Sequence, residues 1–412
     1  MLLIFARFFL EFGCAIYTVG VTWYIIGISG DQNSGLYLAY FYTCLITPSL
    51  LFGAFCGVYL DKYNRKIILS SVEFISALFF FILVLFLYYE YYLFIAILVT
   101  TVLMATVGVF YKPAIYSILP CIVKPGNLIK ANSYNMGVEF ICSILGAAFV
   151  GFFYKSIGLI NLIVLTGILF VIFGVIILFI RLSNSNKNRV DSEEYKYWKS
   201  FKSGLFYIIN DKSLLVTLVF MLIINFFSTP FDEVLLPKII KFTLHMGANE
   251  YGFLKAVFPI GSIVGLIICS ILPKRKKVYR TVFYFGAIIL GVAQLLFALP
   301  IIPYFKKRIT VYDIFIIYCA IAFIKMIFDA FINVPLFTVF QLKVPDDYRG
   351  RFFSLQNTAL MGTRPLSVLM VGFISTFIAS YLITFMLGII LLILVILVVL
   401  SPAVKELFDV VE

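Results

Sequence analysis

Uninterrupted apolar stretches of about 20 residues recur from one end of this chain to the other, the length needed to cross the hydrocarbon core of a bilayer. They are continuous, not alternating residue by residue, so an outer-membrane barrel is excluded and helices remain. Composition agrees: 63% of the 412 residues are hydrophobic and 13% charged, against roughly half and a quarter in a water-soluble domain. The fold class expected is an all-α polytopic membrane protein. Hydropathy and loop signals place twelve helices at roughly 3–28, 36–60, 67–88, 92–119, 132–154, 158–181, 213–237, 250–272, 281–303, 311–341, 352–378 and 381–400. The polar interval 182–212 separates six helices from six, giving an N-terminal half (1–181), a linker (182–212) and a C-terminal half (213–412). An amphipathic surface piece at Tyr195–Tyr207 and a plain solvated loop both fit the linker. Apolar residues start at Leu2 and run past a typical signal-peptide core without a cleavage site, so the first segment reads as a retained helix.

The net charge of +12 would suggest a nucleic-acid partner in a soluble protein. Here 21 of the 32 Lys and Arg residues fall in loops on one side of the predicted helices, 6 on the other and 5 within apolar runs, which is the positive-inside pattern. Both termini are therefore expected in the cytoplasm, the bilayer is the expected surroundings, and no nucleic acid is expected. Six of the seven cysteines lie in apolar runs and none forms a CxxC pair, so neither a disulfide framework nor a metal site is expected. The single histidine, His245, reads as a surface residue of an outer loop and leaves little material for zinc or acid–base chemistry. No phosphate-binding Gly-rich Lys loop is present, so ATP hydrolysis and a cofactor are not expected.

Ionisable residues at membrane depth are costly and point to function. Glu73 aside, near the cytoplasmic end of the third helix, the set is Arg7, Glu11, Lys112, Glu139, Asp232, Glu233, Lys255, Lys325, Asp329 and Arg364. Glu11, Lys112, Glu139, Asp232, Glu233, Lys325, Asp329 and Arg364 are the candidates for a substrate and proton pathway. Lys325 and Asp329 share a helix face at i,i+4 spacing and lie near the depth of Arg364, so a Lys325–Asp329–Arg364 cluster with one excess positive charge is expected; it can serve an anionic group, a proton, or simple helix pairing. Asp232 and Glu233 follow Pro230 and read either as an acidic rim or as a proton carrier. Arg7 is expected to snorkel to headgroups, with Glu11 facing Arg7 or a cavity, and Lys112 and Glu139 are expected to pair. The 46 Phe and 26 Tyr suit a cavity for a bulky amphipathic compound, although most must pack helices.

After the second predicted helix stands Gly57-Val58-Tyr59-Leu60-Asp61-Lys62-Tyr63-Asn64-Arg65-Lys66. This resembles the signature loop of the major facilitator superfamily, matching at Gly57, Asp61, Lys62, Arg65 and Lys66. Asn64 replaces a second glycine, a substitution tolerated in a left-handed turn. Leu119-Pro120 with Ala131-Asn132, and the run Pro345-Asp346-Asp347-Tyr348-Arg349-Gly350-Arg351 followed by Phe352-Phe353-Ser354-Leu355, resemble the macrolide-efflux and siderophore-exporter branch. Gly146-Ala147-Ala148-Phe149-Val150-Gly151 departs from that branch's export motif, having Ala147 where proline is expected. Gly53 and Gly57 are echoed by Gly261 and Gly265 in the other half.

The resemblance implies two six-helix pseudo-repeats and alternating access. It implies secondary transport that couples efflux of an amphipathic small molecule to protons, in a bacterial plasma membrane, by a chain acting as a monomer. It also implies a cytoplasmic gate of Gly57, Asp61, Lys62, Arg65, Lys66, Arg349, Gly350 and Arg351, with Asp61 set against a helix N-terminus. Uptake, lipid flipping, a membrane-embedded enzyme and a non-transporting sensor are the other readings of the same residues.

Overall fold

A computed structural model describes residues 2–62, 64–123, 127–180, 205–273, 275–306 and 308–410; side chains at 54–62 and a few other positions lie outside the description. Every regular element among these residues is helical. Most of the linker, including most of Tyr195–Tyr207, lies outside the described residues; 205–210 is helical.

Two helices are far longer than a bilayer is thick. In α1 (Leu2–Lys62) the apolar stretch of 52 residues would extend about 78 Å if straight, more than twice the hydrocarbon thickness. Gly30 breaks it at φ 68°, ψ 171°, and Gly158 breaks α5 (Leu128–Phe179) at φ 76°, ψ 166°. Only glycine occupies that region without strain. Each long helix is thus two crossings joined by one residue, where the sequence predicts a loop at 29–35. Between them lie α2 (Arg65–Tyr88), α3 (Leu93–Gly108) and α4 (Tyr111–Ile122). The predicted single helix 92–119 is interrupted at 109–110, because Pro113 has no N–H to give to the carbonyl four residues earlier.

The remaining elements are α6 (Lys212–Pro230), α7 (Ala248–Ile271), α8 (Lys276–Leu296), α9 (Val311–Lys343), α10 (Asp346–Ile374), α11 (Ser380–Leu400) and the short α12 (Pro402–Leu407). The helix begun by α6 does not end near residue 237 as predicted. It continues through a π segment at Phe231–Leu235, an α turn at Leu236–Lys238 and a second π segment at Ile239–Thr243. Lys238, expected in an outer loop, is therefore buried, and its Nζ donates to the Ser375 carbonyl at 2.8 Å and lies 3.6 Å from Asp31. His245 is exposed, at φ 54° just beyond this helix.

The chain forms two compact units: one of Met1–Gly30, Tyr40–Asp191 and Met246–Ala256, the other of Asp31–Ala39, Ser192–His245 and Val257–Glu412. In the first, α2 packs along α5, where the Ser70 hydroxyl donates to the Gly174 carbonyl at 2.9 Å. In the second, Phe283, Phe340, Phe352 and Phe408 are buried together near the start of α6. That start is capped by Asp211, which accepts from the Ser213 and Leu214 N–H groups and from Lys343 Nζ at 3.0–3.1 Å. Burial opposes the Asp211 charge, but the Ser213, Leu214 and Lys343 hydrogen bonds outweigh it and hold the carboxyl below its usual range.

The glycine echo is only partial. A Cβ on Gly261 would lie 2.6 Å from the Phe323 carbonyl oxygen, and one on Gly265 2.6 Å from that of Ile327, so both allow α7 to lie directly against the backbone of α9. A Cβ on Gly53 meets nothing within 4 Å. Gly265→Val is therefore expected to cost about 1–3 kcal/mol by overpacking, and Gly53→Val much less, read as the difference in Tm between the detergent-solubilised variants. Because the Asp211 carboxyl is held low in the folded protein, its contribution to stability is present above about pH 4 and fades as pH falls through its folded value. Asp211→Asn is expected to flatten that acid limb of a Tm-against-pH curve.

Candidate functional site

Proline 230 sits at the end of α6, and the five residues after it adopt π geometry, an irregularity that recurs at functional sites. Asp232 and Glu233 occupy this turn and line a cavity of about 310 Å³ within the second unit, so the rim reading gives way: their side chains are only 26% and 16% exposed. The cavity also presents Asn225 from α6, Asp329 from α9 and Arg364 from α10, with Phe220, Met221 and Ile224 among its apolar walls.

The expected Lys325–Asp329–Arg364 cluster is built differently. Lys325 is 2% exposed, and its Nζ donates to both carboxylate oxygens of Asp232, at 2.8 and 2.9 Å. The same ammonium lies 5.4 Å from the ring centre of Phe231 and 5.9 Å from that of Phe297, so two aromatic faces replace part of its lost hydration. Asp329, one turn along α9, instead accepts from Asn333 Nδ2 at 2.8 Å. Arg364 lies 3.9 Å from Glu233. Spacing of i,i+4 puts Lys325 and Asp329 on one face, but the lysine stem carries its charge to the carboxylate presented by the π turn. Counting Lys325 behind Asp232, three carboxylates face two cations. Over these five groups the excess is one negative charge, because Asp232 and Glu233 add two carboxylates to the trio.

In the first unit, Arg7 does not snorkel; it is 3% exposed. Its Nε donates to Tyr111 Oη at 2.8 Å, one Nη to the Asn135 carbonyl at 3.0 Å and the other to Glu11, while Tyr111 donates to Glu11 at 3.0 Å. Enough local acceptors satisfy the guanidinium in place, so it need not reach headgroups. Lys112 and Glu139 approach to 4.0 Å with both side chains exposed, a geometry of little energetic weight. Lys255 lies 5.8 Å from the Tyr251 ring centre.

Of the proposed gate, the side chains of Gly57, Asp61 and Lys62 lie outside the described residues. Arg65 and Lys66 open α2, capped by Asn64, whose side chain accepts from the Lys66 N–H at 3.1 Å. Asn64 has φ −70° and not the left-handed value expected, since an N-cap needs extended backbone and a side-chain acceptor. Arg349 pairs with Asp346 at 2.5 Å, Gly350 is exposed, and Arg351 lies 5.6 Å from the Tyr348 ring centre. Sequence reasoning passed over Tyr111, Asn135 and Lys238. A tyrosine or asparagine in an apolar run carries no charge signal, and Lys238 was hidden by the early helix end. Lys325→Met, which leaves Asp232 without its cation, is expected to cost about 3–5 kcal/mol; adding Asp232→Leu should restore most of it, read as Tm of the single and double variants.

The model of the Major Facilitator Superfamily matches residues 3–367. Macrolide efflux protein A of Streptococcus pyogenes is 23% identical over 337 residues, 78% of this chain and 76% of that protein. The Enterococcus faecalis protein of the same name is 23% identical over 335 residues, 78% and 95% of the two chains. Among solved structures, the nucleoside transporter NupG superposes with a TM-score of 0.70 at 13% identity, over 99% of this chain and 98% of its own. A peptide transporter, POT, in complex with alafosfalin reaches 0.74 at 13%, over 99% and 95%. With nine helical stretches among the described residues long and apolar enough to cross a membrane, two of them broken at glycine, and with a family match over residues 3–367, this chain belongs to the Major Facilitator Superfamily of membrane transporters.

Proposed function

We propose that the protein exports an amphipathic small molecule bearing positive charge, in exchange for protons. The observation that carries this is the surplus carboxylate of the half-buried cavity: Asp232, Glu233 and Asp329 against Lys325 and Arg364. A buried site with one unbalanced negative charge is neutralised either by a proton or by a cationic ligand, and competition between the two is what exchange requires. The apolar walls at Phe220, Met221 and Ile224 supply surface for the rest of the molecule. Relatives named for macrolide efflux support export, and the gate-like loop around Asp61 supports transport. In this reading Asp329, hydrogen-bonded by Asn333 of its own helix, exchanges proton for ligand, and Asp232 with Lys325 holds the helices. In this reading both termini lie in the cytoplasm of a bacterial cell and the chain works as a monomer.

In proteoliposomes containing a pH-sensitive dye, addition of hydrophobic cations, macrolides or siderophores is expected to move protons through the wild type when a cationic member of the panel is added. Asp329→Asn is expected to abolish that flux while leaving the protein inserted and monodisperse. Substrate movement without proton flux would overturn the exchange reading, and accumulation in the opposite sense would make the protein an uptake carrier. Asp61→Asn, made in parallel, is expected to slow transport by removing the gate contact; unchanged transport would discard the gate.

A further inference from the structure

The polar cluster of the first unit has more acceptors than the Arg7 pair uses. Arg7, Glu11 and Tyr111 satisfy one another, and the one positive charge is balanced by the one negative. Two further buried acceptors stand in the first unit. Asn135, whose carbonyl accepts from Arg7, has a buried side-chain Oδ1 without a hydrogen-bond partner. Glu73, on α2, is 2% exposed and makes no hydrogen bond or ion pair among the described residues. The cations of the neighbouring helices are engaged elsewhere: Arg7 by Glu11, Tyr111 and the Asn135 carbonyl, and Lys112 at 4.0 Å from Glu139. The α3 segment contains no titratable side chain; α2 meets α5 at Gly174 through Ser70 and Phe74, and the α5 residues Glu139 and Lys155 are exposed.

An ionised carboxylate with neither donor nor cation at this degree of burial is strongly disfavoured. Adding a proton removes the charge and converts one oxygen into a donor. We infer that Glu73 is a proton-binding site of the first unit, occupied in this arrangement, in which Arg7 is held by Glu11, Tyr111 and the Asn135 carbonyl. This adds a second proton site, remote in sequence from Asp329. Its role in transport rests on the proton-exchange reading; its occupancy does not.

The test is infrared spectroscopy of the purified full-length protein in lipid at neutral pH, which reads the C=O stretch of protonated carboxyl groups and its shift in D₂O. The spectrum of Glu73→Gln is expected to lack the intensity of one protonated carboxyl relative to wild type. Glu11→Gln, which removes a carboxylate already paired with Arg7, is expected to leave that intensity in place. Unchanged intensity in Glu73→Gln, or its loss in Glu11→Gln alone, overturns the assignment. The reading needs no substrate, so failure of proton flux in proteoliposomes overturns the exchange reading without touching this one. Should Glu73→Gln not yield monodisperse protein, Glu73→Asp, which keeps the group and shortens the stem, is expected to retain a protonated carboxyl at a shifted frequency; an unshifted spectrum overturns the proposal.

Discussion

An ammonium group at 2% exposure has no water to fall back on, and the second unit is arranged around that fact at Lys325. Both oxygens of one carboxylate and the faces of two buried rings take the place of hydration. Each of these groups comes from a specific place: Asp232 and Phe231 from the π turn after Pro230, and Phe297 from just beyond α8. Removing any one leaves a charge or a ring face without its complement in a low-dielectric interior. The π turn is thus held in place by electrostatics as much as by backbone bonding, and the carboxylates it displays reach the cavity because Lys325 holds one of them.

The first unit handles the same problem with different chemistry. Arg7 is served by a phenol, a backbone carbonyl and a carboxylate, three acceptors that match the planar fork of a guanidinium. Lysine at position 7 would present a compact point charge in place of the fork and could not serve the three directions in the same geometry.

Much of this was readable before any coordinates. Charges in apolar runs stand out against a background that is 63% hydrophobic, so Glu11, Asp232, Lys325, Asp329 and Arg364 were all visible as candidates. The loop from Gly57 to Lys66 carried enough identity to indicate the family, and the family model agrees. What could not be read was partnership. Spacing along one helix shows which residues share a face, not which face of a neighbour lies opposite, and Lys325 consequently bonds 93 residues away and not four. Helix ends went wrong where a special backbone intervened. Single glycines at 30 and 158 turned the chain without a polar loop, and π geometry carried the helix past Pro237 to Thr243.

Adjacent residues on the π turn hold cations on two different helices: Asp232 engages Lys325 on α9 and Glu233 faces Arg364 on α10. Consecutive positions in a helix point in directions well separated around the axis. This segment is therefore meshed with two neighbours at once, like a pinion between two racks. A turn of this segment about its axis by one residue would carry both acids away from their partners at once.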